Sequence, residues 1–256
     1  MKNIKTKKNH KEKQKYKRKM KMFIKEYKVY INYLLVRLKI RKVLPAKIIN
    51  KVLIEDNNDP LVKVDIKAYD IILDKRISEP VYLRKEVCNK LYDICRDMKE
   101  KNLRVKLYDA YRTIEEQNSS WEKRLIQTRN ENPNVSDEEL IRLNKMKVSN
   151  CYDEKSIGGH QSGGALDISL CDLNGDELDF GTSYEEYNEK TFSFAKNISK
   201  KQKENRKILF NEMKKYDFIN FPCEWWHYSY GDNMWSAYKF KNKAFYGYIK
   251  PDENEK

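Results

Sequence analysis

Three histidines occur in the chain, and two of them lie close to carboxylates. His160 sits in Ser156-Ile-Gly-Gly-His-Gln-Ser-Gly-Gly-Ala-Leu-Asp-Ile-Ser169, seven residues ahead of Asp167. His227 sits in Cys-Glu-Trp-Trp-His-Tyr, three residues after Glu224. The third, His10, falls in a lysine-rich stretch at the start. Two imidazoles and a carboxylate make a three-ligand zinc set with a place left for water, and a further carboxylate nearby can act as general base. Gly163 and Gly164, between His160 and Asp167, allow a sharp turn or a close backbone approach. Residue types alone leave a second reading open, with His160 a loop histidine and His227 a core histidine beside Trp225 and Trp226.

Both pairs pose a problem of facing. On a regular strand, residues seven apart point to opposite faces, and so do residues three apart. The pairs converge only if Gly163-Gly164 interrupts the chain after His160 and the strand carrying His227 begins after Glu224. Pro222, which cannot donate to a ladder, fits a late start. Around these residues, 82–98 carries Leu83, Val87, Leu91, Ile94 and Met98 at helical spacing, and 103–109 alternates as a strand. A helix is predicted over 113–128, and Ser136-Asp-Glu-Glu opens another with an N-cap. Residues 165–170 read as a strand, 171–176 as a turn with Asn-Gly at its tip, and 202–216 as a helix. Three short strands are expected near 217–220, 225–230 and 235–240. Helices mixed with antiparallel strands give an α+β fold: a single compact domain with a small antiparallel sheet flanked by helices and the zinc site at the sheet.

The 256 residues suffice for one large domain with extensions. We expect a basic N-terminal extension over 1–45, a catalytic domain over 46–250 and a tail over 251–256. The Lys-rich residues 1–19 have almost no apolar side chains and are expected to be disordered. From Phe23, Tyr27, Tyr30, Ile31, Leu34, Leu35 and Leu38 recur at helical spacing, opposite Lys25, Lys28, Arg37 and Lys39. Such a helix, over 23–38, either packs on a protein surface or lies on an anionic membrane. The formal charge of +14 would suit nucleic acid, but much of the excess falls in the extension, so no nucleic-acid partner is expected. With 18 Tyr against 9 Phe, the core leans on aromatic rings whose hydroxyls need partners. Five cysteines without a CxxC pair argue against a complete disulfide framework and for a reducing compartment. No apolar run reaches the length of a bilayer span, and the run at 29–36 lacks a cleavage site behind it. A cytoplasmic protein is expected.

His160-x-x-Gly163-x-Ala165-x-Asp167, followed by Glu224-x-Trp226-His227, resembles the zinc D-Ala-D-Ala peptidases. Among these it is most similar to the D-alanyl-D-alanine dipeptidases of the vancomycin-resistance type. The resemblance takes in Tyr82-Leu-Arg, Asp109-Ala-Tyr-Arg112, Asp179-Phe-Gly-Thr182, Asn205-Arg206 and Glu224-Trp-Trp-His-Tyr228, in the family's order. It implies one zinc per chain on His160, Asp167 and His227, with Glu224 as catalytic base. It implies Arg112 as stabiliser of the tetrahedral intermediate, and a small D,D-dipeptide as substrate. A permanently charged, forked guanidinium suits a developing oxyanion. Asp109, Asp179, Thr182 and Trp226 are expected around the substrate. Asp109 reads equally as the residue that orients Arg112 or as an ordinary strand end. Gly158 departs from the family pattern, which has a serine there to help hold substrate; Ser156 and Ser162 are close, but neither is in the matching place. A D,D-carboxypeptidase acting on peptidoglycan peptides is the enzyme alternative. A zinc-containing module that binds cell wall without turnover is the non-enzyme one.

Overall fold

The computed structural model describes residues 35, 43–145, 148, 151–152 and 158–250. The chain divides into a unit of residues 1–48 and a unit of residues 49–256. The expectations for 1–19, for the helix over 23–38 (Leu35 aside) and for the tail over 251–256 fall outside the described residues, as does Ser156.

In chain order the second unit holds β1 (Leu53–Ile54), β2 (Leu61–Lys63), β3 (Ile72–Leu73), β4 (Tyr82–Arg84), α1 (Lys85–Glu100), β5 (Arg104–Asp109), α2 (Ile114–Glu131) and α3 (Asp137–Lys145). It continues with β6 (Ala165–Cys171), α4 (Lys200–Lys215), β7 (Ile219–Asn220), β8 (His227–Ser229), α5 (Asn233–Tyr238) and β9 (Lys243–Ala244). Five strands form one sheet in the order β3-β5-β6-β8-β7. It is antiparallel except where β3 lies parallel to β5. All seven residues of the central strand, β6, are buried. Alternation along it sends Leu166, Ile168 and Leu170 into the main core and turns Asp167 to the opposite face. The apolar stripe of α1, with Val87, Leu91, Ile94 and Met98 wholly inaccessible, joins that core together with Val105 and Leu107 of β5. Each such side chain contributes roughly 1.5–3 kcal/mol. Five of the 18 tyrosines, Tyr108, Tyr184, Tyr228, Tyr230 and Tyr246, are buried in the core.

Two elements correct the expectations. Tyr82-Leu-Arg is a strand rather than the first turn of a helix. It pairs antiparallel with β2, and the Arg84 N–H goes to the Gly163 carbonyl at 3.0 Å, so the helix starts at Lys85. The strand expected near 235–240 is instead α5. Asp232 caps it, its Oδ1 accepting from the Trp235 N–H at 2.7 Å, and a side-chain cap of this kind outweighs the strand preference of the aromatic residues.

Strand register assembles the site. In β5 the pairing slips between Leu107 and Asp109, which brings Asp109 rather than Tyr108 opposite Asp167. On the other side of β6, Asp167 stands opposite His227. Directly opposed residues have Cβ atoms about 4.5–5.5 Å apart. Asp109, Asp167 and His227 therefore form a row across three strands on one face of the sheet.

Candidate active site

His160 reaches this row from a single 3₁₀ turn, His160–Ser162, that precedes β6. The turn closes at Gly163, whose φ of +69° is left-handed, and a Cβ there would lie 2.6 Å from Leu61 Cδ2. At Gly164 a Cβ would lie 2.4 Å from the Tyr230 carbonyl oxygen. The facing problem is thus resolved by a break in the strand at these two glycines. Arg84, only 1 % exposed, supports the turn from beneath. Its Nε donates to the Ser162 carbonyl at 2.7 Å, and its Nη2 pairs with Asp56 at 2.6 Å. Ser162 is committed to the turn as well: its hydroxyl donates to the Gly159 carbonyl at 2.6 Å and accepts from the Gly164 N–H at 3.1 Å. Gly158 contributes only its N–H, which donates to Gln161 Oε1 at 3.1 Å.

His160 Nδ1 lies 2.6 Å from the Ala110 carbonyl, which can only accept, so Nδ1 carries the proton. That fixes the ring and presents Nε2 to Asp167 Oδ1 at 3.5 Å. The same Oδ1 lies 2.8 Å from His227 Nδ1. One donor atom from each of His160, Asp167 and His227 lies within 4.8 Å of the others, a set able to hold a metal ion. Burial by itself would raise the Asp167 carboxyl, but His160 and His227 outweigh it and hold the group well below the usual carboxylate range. Burial would lower His160, whereas Asp167 and Asp109 lift it to about 9. The row therefore demands a positive charge. A proton on imidazole supplies it in the metal-free chain, and a metal ion would displace that proton.

Glu224 stands in the turn before β8, its N–H donating to the Phe221 carbonyl at 3.0 Å. The pairing of β8 begins only at His227, so the separation of three residues does not put Glu224 on the wrong face. Its half-buried carboxylate makes no hydrogen bond among the described residues. Burial pushes it up to about 7, against the pull of His227 and His160. Arg112 pairs through Nη2 with Asp109 Oδ2, while Asp109 Oδ1 accepts from the Ala110 N–H at 2.9 Å. Burial would lower the Arg112 guanidinium, but Asp109, Tyr184 and Asp167 raise it, so it stays charged beside the row. Of the two readings of Asp109, the structure supports orientation of Arg112.

The other residues expected around the substrate have partners within the protein. Trp226 is 1 % exposed, its ring edge-on to Tyr184 at 5.1 Å, so its side chain belongs to the core. Thr182 Oγ1 accepts from Trp225 Nε1 at 2.8 Å. Asp179 spends both carboxylate oxygens within its own neighbourhood, on the Gly181 N–H at 2.9 Å and the Gln202 amide at 2.8 Å. Two residues just past this motif escaped the sequence reading. Tyr184 donates to Asp167 Oδ2 at 2.8 Å. Glu185, at φ +60°, lies 3.8 Å from Arg76 Nη1 and adds its charge to the field around Asp167, Arg112 and Glu224. The one available signal was their position, two and three residues after Thr182.

The family model described as D-ala-D-ala dipeptidase matches residues 80–247, which include Arg112, His160, Asp167, Glu224 and His227. The chain belongs to this family. Among curated family relatives, a D-alanyl-D-alanine dipeptidase of Synechocystis is 29 % identical over 109 residues, covering 36 % of this chain and 44 % of that protein. A D-alanyl-D-alanine dipeptidase of Escherichia coli is 25 % identical over 126 residues, covering 49 % of this chain and 54 % of that protein. The chain thus spans about half the length of the curated relatives it matches. Among solved structures, a vancomycin resistance D,D-pentapeptidase in complex with Zn(II) matches at 16 % identity, covering 75 % of this chain and 93 % of that one, with a TM-score of 0.42.

Proposed function

We propose that the chain is a zinc-dependent dipeptidase that hydrolyses D-Ala-D-Ala. The observation that carries this reading is that one ligand atom from each of His160, Asp167 and His227 lies within 4.8 Å of the others, with the Glu224 carboxylate, which makes no hydrogen bond among the described residues, in the same field. The donor set fits zinc, since two imidazole nitrogens and one carboxylate oxygen are typical of catalytic sites. Zinc held there would acidify a water toward neutral pH and polarise the scissile carbonyl. Glu224 accepts the proton of the attacking water and delivers it to the leaving amine. Arg112, aimed by Asp109, stabilises the oxyanion through its fork. Glu185, whose charge acts on Asp167 and Arg112, is the acceptor we assign to the free ammonium of the dipeptide.

No helix among the described residues is long and apolar enough to cross a membrane. Cys88, Cys95 and Cys171 are buried free thiols, which supports our placing the enzyme in a reducing, cytoplasmic compartment.

The test is a comparison of kcat/KM for D-Ala-D-Ala, N-acetyl-D-Ala-D-Ala and a pentapeptide ending in D-Ala-D-Ala. Hydrolysis of the free dipeptide with little cleavage of the other two is expected. Equal cleavage of either blocked substrate overturns the dipeptidase reading in favour of a carboxypeptidase, and no turnover of any of them favours a binding module. Arg112→Ala is expected to lower kcat by roughly 10²–10³-fold, as loss of an oxyanion donor does. Arg112→Lys keeps the charge without the fork and should lose less. Steady-state kinetics on both variants checks this; equal losses would show that forked geometry plays no part.

A further inference from the structure

We propose that Tyr184 is a positioning residue for the metal: its hydroxyl holds Asp167 so that Oδ1 is the oxygen presented between the two imidazoles. The inference rests on the reading of His160, Asp167 and His227 as metal ligands. Tyr184 donates to Asp167 Oδ2 at 2.8 Å. Oδ1 of the same carboxylate faces His227 Nδ1 at 2.8 Å and His160 Nε2 at 3.5 Å. A carboxylate carries lone pairs on both oxygens, and an unrestrained one can turn either, or both, toward a cation. A phenol donor on Oδ2 removes that freedom. The two oxygens thereby take different tasks, Oδ2 accepting from the phenol and Oδ1 facing the imidazoles.

The hydroxyl can do this only if the ring cannot move, and the ring is held on several sides. Tyr184 is 9 % exposed. It stacks on Tyr108 with centroids 4.3 Å apart and planes within 9°. Trp226 meets it edge-on, at 5.1 Å. The Arg76 guanidinium lies 4.4 Å from its ring centroid and is itself anchored on Asp74 at 2.6 Å. Since Tyr184 belongs to the segment between β6 and α4, the placement of that loop is transmitted to a ligand on the central strand. Tyr108 offers an internal control. It shares the stack, but its hydroxyl bonds to Glu177, not to the ligand set.

The experiment measures the zinc dissociation constant of the full chain, of Tyr184→Phe and of Tyr108→Phe by competition with a chromophoric chelator. Each protein is held well below its own unfolding midpoint. Groups that orient a metal ligand are worth roughly 10–100-fold in affinity. Tyr184→Phe keeps the ring and its stack, and is expected to bind zinc weaker by that factor. Tyr108→Phe is expected to bind like the parent. An unchanged constant in Tyr184→Phe, or equal weakening in both variants, overturns the proposal. A parent chain that takes up no zinc refutes the ligand assignment itself, an outcome separate from either of these.

Discussion

Glu224→Gln is expected to retain zinc and fold while turnover falls by roughly 10²–10⁴-fold, the range that a positioned general base contributes. The local backbone does not depend on the carboxylate. The Glu224 N–H bonds to the Phe221 carbonyl, and its own carbonyl accepts from Asn220 Nδ2 at 2.9 Å. Gln keeps the shape and removes the basicity. The carboxylate makes no hydrogen bond among the described residues, so the exchange leaves no protein donor stranded there. Burial lifts the carboxyl to about 7, a range that suits the proposed base. A loss of kcat with zinc content and unfolding midpoint unchanged is the expected pattern. Near-parental kcat would remove Glu224 from the proton transfer and leave no carboxylate in that turn to replace it.

That His160, Asp167 and His227 could come together was legible because histidine is scarce in this chain and both candidates stand near carboxylates. The main helix was legible too, since Val87, Leu91, Ile94 and Met98 announce their burial by spacing alone. What escaped depends on pairings between distant segments. Asp109 joins the row through a slip in the β5–β6 register, which local spacing does not encode. Arg84 reads as one more residue of the predicted helix over 82–98. Its role as a buried strut comes from Asp56, Ser162 and Gly247, which are 28, 78 and 163 residues away in the chain. Tyr184 is 17 residues from Asp167, and the link between them is a single hydroxyl. Trp226 shows the converse: the motif identifies the residue, but only the packing reveals that its ring faces the core. At 235–240 a strong local preference misled, because the deciding feature was the Asp232 cap just upstream.

His227→Ala and His160→Ala are each expected to abolish stoichiometric zinc binding, and with it turnover. A catalytic zinc site rests on three protein ligands, so removal of either histidine leaves two. The two variants should differ in what else they cost. In the metal-free chain, His227 Nδ1 lies 2.8 Å from the buried Asp167 carboxylate, and losing a hydrogen bond to a charged group costs roughly 1.5–3 kcal/mol. Asp167 retains Tyr184 and His160 in His227→Ala, so the loss should fall toward the lower end. His160→Ala takes away a second tie as well, the Nδ1–H bond to the Ala110 carbonyl that joins the glycine turn to the end of β5. It should therefore lower the unfolding midpoint of the metal-free chain further than His227→Ala does. Metal analysis after gel filtration, read beside thermal unfolding, separates the two effects. Undiminished zinc in both variants would sink the ligand assignment. Lost zinc with the stability order reversed would keep the ligands and show that the Asp167–His227 contact, not the His160 turn, carries the larger share of the metal-free stability.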